Sequence, residues 1–303
     1  MTVPSNLRGI LAMVLAMGVF IASDCCMKLA LRDLPLFQLM LMRGIASVGL
    51  CLMLVLALGY SGDLARMLNP WVLARALCEV AANISFTLAI FHLPIADVTA
   101  IAQTCPLLVL LGARVIWGER LGPSRLLLIA LGVAGALLVA QPGATAASPF
   151  AILGFLTAVT AAIRDLITRQ VPAGIPAPVV AFAVLVVLMC TGGVATLALE
   201  TPALPPVRDV FLVLLAGTLM TGGHICIFLA YKIGPARSVA PFMYSLTLWA
   251  VLGGALLFGD LPNGLALAGM TLVVLAGLLI ITVDHRRNSV SRMPPAKPSL
   301  ATP

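Results

Sequence analysis

Charge is scarce in this chain: only 10% of its 303 residues are charged, three are histidine, and 61% are hydrophobic, with a mean hydropathy of +1.13. No water-soluble domain could hide that much apolar surface, so a soluble fold is excluded at the outset. Long polar stretches are equally rare, which leaves no room for an extramembrane catalytic or nucleotide-binding domain. There is no G-x-S-x-G elbow, no H-E-x-x-H pair and no G-x-x-x-x-G-K-[ST] loop, so hydrolysis and ATP-driven pumping find no support. The seven cysteines (Cys25, Cys26, Cys51, Cys78, Cys105, Cys190, Cys226) fall inside apolar runs and read as small buried hydrophobes, not as disulfides or metal ligands. No cofactor is called for.

What is present is a succession of apolar runs, each near the length of about 20 residues that an α-helix needs to cross hydrocarbon. Ten spans are predicted: 8–30, 36–58, 71–91, 95–117, 123–140, 149–171, 177–199, 209–232, 236–258 and 264–283. The first is read as a span and not a signal peptide, because Asp24 to Lys28 stands where a small-residue cleavage site would lie. The net charge of +7 is a matter of sidedness and not of nucleic-acid binding. With the N-terminus inside, all of the 18 Lys and Arg lie at cytoplasmic ends except Lys28, Arg32 and Arg208 outside and Arg43 within the second span. Both termini are therefore expected in the cytoplasm of a bacterial cell, the chain crossing the inner membrane many times. The basic, Pro/Ser-rich segment 285–303 reads as a disordered cytoplasmic tail.

Laid against itself with a shift of 141 residues, the sequence repeats. Asp24 falls on Asp165, Lys28 on Arg169, Pro35 on Pro176, Pro94 on Pro235, Gly118 on Gly259 and Glu119 on Asp260. Acids, bases and prolines kept in one register are not chance. Each half, 1–143 and 144–284, holds five spans, an odd number, so the second must enter the bilayer from the opposite side. The expected fold is an all-α membrane protein of ten transmembrane helices in two inverted repeats. Such repeats place a substrate site near the midplane at their interface.

The duplication, the Pro-containing turns at His92 to Ala96 and Ile233 to Arg237, and the Gly-acid turns at Gly118-Glu119 and Gly259-Asp260 resemble the ten-helix members of the drug/metabolite transporter superfamily with two EamA-type repeats. Within that family the chain is most similar to exporters of aromatic and other amino acids. The resemblance implies a central cavity lined by helices 3, 4, 8 and 9, and a transporter rather than an enzyme. Its partners would be a small-molecule substrate and the lipid bilayer, with no nucleic acid; a monomer suffices for this reading.

Strongly polar residues inside spans are site candidates. Arg75, Glu79 and Asn83 share one helical face, as do Thr99 and Gln103. The shift pairs Asn83 with His224 and Gln103 with Tyr244, and these four, with Glu79, Thr99 and Trp249, are the expected cavity wall. The bland alternative is that each merely hydrogen-bonds a neighbouring helix, a contact worth about 0.6 kcal/mol. Asp24 with Lys28 and Asp165 with Arg169 stand at i,i+4 and read as local ion pairs, structural or gate-locking. Pro106 and Pro241 each remove a backbone donor and read as hinges or static kinks. Arg43 needs a partner that the sequence does not identify. Two further functions compete with amino acid export: a proton-coupled drug pump using Glu79, and a membrane acyltransferase suggested only by the spacing of His92 and Asp97.

Overall fold

The computed structural model describes residues 5–118, 122–141, 149–234 and 239–290. Among the described residues it is all helical. The α-helices are α1 (Ser5–Ala30), α2 (Leu36–Ala57), α3 (Pro70–His92), α4 (Ile95–Ala102), α5 (Cys105–Trp117), α6 (Pro123–Ala140), α7 (Ala151–Thr168), α8 (Ala177–Leu199), α9 (Val207–Ile233), α10 (Ser245–Phe258) and α11 (Gly264–Val290). Two 3-10 segments, Ser61–Leu68 and Ala240–Tyr244, complete the order. The expected boundary at 143/144, the turn at Glu119, the second Pro turn beyond Gly234 and the tail from residue 291 lie outside the described residues.

Eight stretches are long and apolar enough to cross a membrane, among them Ile95–Trp117 and Pro241–Phe258 taken as continuous units. Two shorter apolar helices, Leu126–Ala140 and Gly264–Leu279, occupy the places expected for the fifth and tenth spans. The ten expected positions thus all carry helix.

Two departures from the expected pattern have local causes. The span around Pro106 is broken, because the ring at the second position of α5 cannot donate to the turn before it. The Thr104 hydroxyl donates to the Ile101 carbonyl at 2.7 Å across this break. Around Pro241 the chain passes through a 3-10 turn before α10 begins. The other departure is Ser61–Leu68, a helical turn between the second and third expected spans. Asp63 and Arg66 pair at i,i+3 and 3.0 Å there, a spacing that suits a three-residue turn, and Tyr60, Leu64 and Met67 pack against the core formed with α8.

The helices pack in pairs that exchange under the 141-residue shift. α1 lies along α9 as α3 lies along α7; α1 meets α10 as α5 meets α7; α2 packs on α8, and α6 on α11. Glycines set the closest approaches. A Cβ on Gly269 of α11 would stand 2.5 Å from the Gly135 carbonyl oxygen of α6, and one on Gly9 of α1 would stand 2.9 Å from the Cα of Gly234. Small residues at such crossings are the usual means of packing helices where lipid supplies no hydrophobic drive. Large exposed side chains such as Leu11 and Leu15 on α1, or Leu197 on α8, face outward around this bundle.

Candidate functional site

Helix α3 carries the polar stripe at the centre of the bundle, and each stripe residue is engaged by another helix. Arg75 Nε donates to Thr168 Oγ1 at 3.0 Å. Glu79 accepts from Arg164 Nη1 at 2.7 Å, and Arg164 Nε reaches Asp165 Oδ1 at 2.8 Å. The thiol of Cys105, on α5, stands 3.7 Å from the other Asp165 oxygen. One helical turn further along α3, Asn83 Oδ1 accepts from Arg43 Nη2 at 2.9 Å, which supplies the partner that Arg43 required. Arg43 also interacts electrostatically with Glu79 and with Asp24 of α1.

Hydrogen bonds join Arg43 to Asn83 and Arg164 to Glu79 and Asp165, and electrostatic interaction links Arg43 to Glu79 and Asp24, so one polar series runs through both halves of the sequence. Charges are expensive inside a bilayer unless paired. Here three guanidinium groups (Arg43, Arg75, Arg164) stand with three carboxyl groups (Asp24, Glu79, Asp165), so the two kinds of group are present in equal number. Such a set of paired groups disfavours a solute of strong single sign.

A second cluster sits where α1, α3 and α10 end. Lys28 Nζ donates to the Leu93 carbonyl at 2.8 Å, pairs with Asp260 at 3.4 Å and lies 4.9 Å from the centre of the Phe258 ring. In the other half, Arg169 lies 4.7 Å from the centre of the Trp117 ring. The shift carries Lys28 onto Arg169 and Trp117 onto Phe258, so each half sends its cation to the aromatic ring of the other. The local pairs expected from sequence are not what forms. Among the described residues Lys28 closes on Asp260 and not on Asp24, and Asp165 closes on Arg164 and not on Arg169. An i,i+4 pair is worth only about 0.5 kcal/mol. A carboxylate, a carbonyl and a ring presented together by other elements outweigh it.

The remaining expected wall residues are dispersed. Gln103 Nε2 donates to Thr247 Oγ1 of α10. His224 Nδ1 donates to the Met220 carbonyl at 2.8 Å, and its ring meets the edge of Phe20 at 5.1 Å. Thr99 is buried, and its hydroxyl has no hydrogen-bond partner. Tyr244 is buried with its ring against Gly277 of α11, and Trp249 Nε1 donates to the Val14 carbonyl of α1 at 3.0 Å. Among the described residues no hydrogen bond joins Asn83, Gln103, His224 and Tyr244 to one another; the polar series on α3 brings in Asn83 and Glu79. His92 stacks on Phe150 with ring centres 3.5 Å apart, while Asp97 interacts with Lys28 and Asp260, so the acyltransferase spacing corresponds to no joint site.

Arg164 and Phe20 escaped the sequence reading. Arg164 counts toward the cytoplasmic positive charge, yet it stands next to Asp165, and its counterpart under the shift is Ser23, a difference visible in the register. Phe20 carries no polar signal at all. Among the described residues no group of three His, Cys, Asp or Glu is placed to hold a metal ion.

Comparison with known proteins places this geometry among transporters. The model of the EamA-like transporter family matches residues 7–141. A riboflavin transporter of Rhizobium johnstonii is 33% identical over 221 residues, 72% of this chain and 72% of its own. The pseudopaline exporter CntI of Pseudomonas aeruginosa is 27% identical over 271 residues, 88% of this chain and 94% of its own. A solved crystal structure, 20% identical, superposes with a TM-score of 0.61 over 94% of this chain and 98% of that one, a likeness of fold alone.

Proposed function

We propose that this chain, which belongs to the EamA-like transporter family, exports small polar metabolites, amino acids with aromatic side chains among them, across the bacterial inner membrane. The single observation that carries the reading is the polar series from Asp24 to Asp165, carried by helices of both halves that are long and apolar enough to cross a membrane. Two inverted five-helix repeats, 1–143 and 144–284, then alternate the access of this centre between the two sides, with both termini in the cytoplasm. The exchange of packing partners and of cation–ring contacts under one register supports that arrangement. Lys28 with Phe258 and Asp260, and Arg169 with Trp117, act as the gates. Glu79, Asn83, Gln103 and His224 contribute to the wall, and the breaks at Pro106 and Pro241 serve as hinges.

Glu79 is held by Arg164, which favours a structural role there over the proton release that a coupled drug pump needs. The 33% identical riboflavin transporter supports a second substrate reading, riboflavin itself. Liposomes loaded with labelled amino acids or with riboflavin, with and without a pH gradient, separate the two. Efflux of phenylalanine or a related amino acid, dependent on the protein, is the expected result. Movement of riboflavin alone would transfer the chain to the second reading, and movement of neither would remove both.

A further inference from the structure

Asp24 and Arg43 are electrostatic partners on α1 and α2. Among the described residues, however, no hydrogen bond or ion pair reaches the Asp24 carboxylate. The Arg43 side chain, 4% exposed, gives one N–H to Asn83 at 2.9 Å and none of the others to protein. Asp24 shares its helical face with buried Met13 and Met17, on the side of α1 opposite the exposed Leu11 and Leu15, so it turns into the bundle and not to lipid. The symmetry-related Asp165 differs: Arg164 takes one of its oxygens and the Cys105 thiol the other. The register explains the contrast. Ser23 stands where the second half has Arg164, and Val184 stands where the first half has Arg43.

Two groups of opposite charge that interact electrostatically, with no hydrogen bond between them among the described residues, keep their hydrogen-bonding capacity for something else. A guanidinium fork recognises a carboxylate in two parallel bonds, and Asn83 fixes the orientation of this one. A free carboxylate recognises an ammonium group. We propose that Asp24 and Arg43 form the binding site for the zwitterionic head of an α-amino acid, the ammonium on Asp24 and the carboxylate on Arg43. This rests on the transport reading and names the substrate class of its central site. Phe20, one turn before Asp24 and edge-on to His224 at 5.1 Å, provides an apolar neighbour for the substrate's side chain. A neutral solute such as riboflavin answers neither charge.

The test uses the full-length protein in detergent micelles and three probes: L-phenylalanine, phenethylamine without the carboxylate, and 3-phenylpropionate without the ammonium. Wild type should prefer phenylalanine to either analogue by about ten-fold or more, the size expected of a charge-assisted hydrogen bond. Asp24→Asn should abolish the preference over 3-phenylpropionate while keeping that over phenethylamine. Arg43→Gln should do the reverse, and Arg43→Lys, which keeps the charge without the fork, should fall between. Should the Arg43 variants fail to insert, Asp24→Asn decides alone. Equal binding of all three probes by wild type, or an Asp24→Asn protein with its preferences intact, overturns the proposal; so does an Asp24→Asn protein that binds normally but loses proton-driven efflux. Binding and transport of riboflavin with no amino acid bound overturns the site and leaves the transport reading standing.

Discussion

Asp24 and Asp165 hold equivalent places in the two halves, yet their surroundings are opposite. Asp165 is engaged by Arg164 and Cys105, whereas among the described residues no hydrogen bond reaches Asp24, which interacts electrostatically with Arg43. Duplication supplies the same carboxylate twice. One difference in each half, Arg164 against Ser23 and Arg43 against Val184, gives the two copies different neighbours; in the proposed transporter one has a structural role and the other takes a ligand. In the proposed transport cycle, a duplicated scaffold would alternate between two similar states while holding a site that is not itself symmetric.

The sharpest way to break this comparison is to remove the anchor. Arg164→Leu leaves the half-buried Glu79 and Asp165 without their hydrogen-bonded cation and should cost about 1.5–3 kcal/mol of stability, seen as a fall in thermal unfolding temperature. Adding Glu79→Gln and Asp165→Asn should recover much of that loss. If the single variant unfolds like wild type, Asp165 is not an anchor.

A smaller effect comes from outside both charge clusters. Gly269→Ala forces a methyl group against the Gly135 backbone and should cost about 1–3 kcal/mol while leaving substrate affinity unchanged. A changed affinity would tie the α6–α11 contact to the site.

Trp249→Phe should be milder still. It removes the bond to the Val14 carbonyl but keeps the ring against Gly18, a loss of about 1 kcal/mol measurable by thermal unfolding. A collapse of transport in that variant would return Trp249 to the substrate wall.

The subtlest expected change is a shift of population. Lys28→Gln loosens one gate and Arg169→Gln the other, so a cysteine placed at His224 should gain label from outside in the first variant and from the cytoplasm in the second. Identical labelling in both would show that the two clusters do not gate.

Where the helices lie was legible because a membrane span is written in some 20 consecutive residues, and the register of 141 was legible because charged residues and prolines mark it. The breaks near Pro106 and Pro241 were legible as places, since a missing donor is a local fact. Partners were not. Lys28 has Asp24 four residues away in sequence, but its observed partner Asp260 stands 232 residues distant, and nothing in the local pattern ranks one above the other. Tyr244 illustrates a second limit. The register pairs it with Gln103, but the ring lies against Gly277, because a glycine on a neighbouring helix opens space that periodicity within one helix does not reveal.

The account stands on the two halves having opposite orientations in the membrane, and equivalent positions test that most directly. Asp33, just after α1, and Gly174, in the turn after α7, are related by the shift of 141. Single cysteines at each, in full-length protein whose seven native cysteines are replaced, can be probed with a membrane-impermeant thiol reagent applied from either side. The account predicts label at position 33 only from the periplasm and at position 174 only from the cytoplasm. Label reaching both from the same side would contradict it.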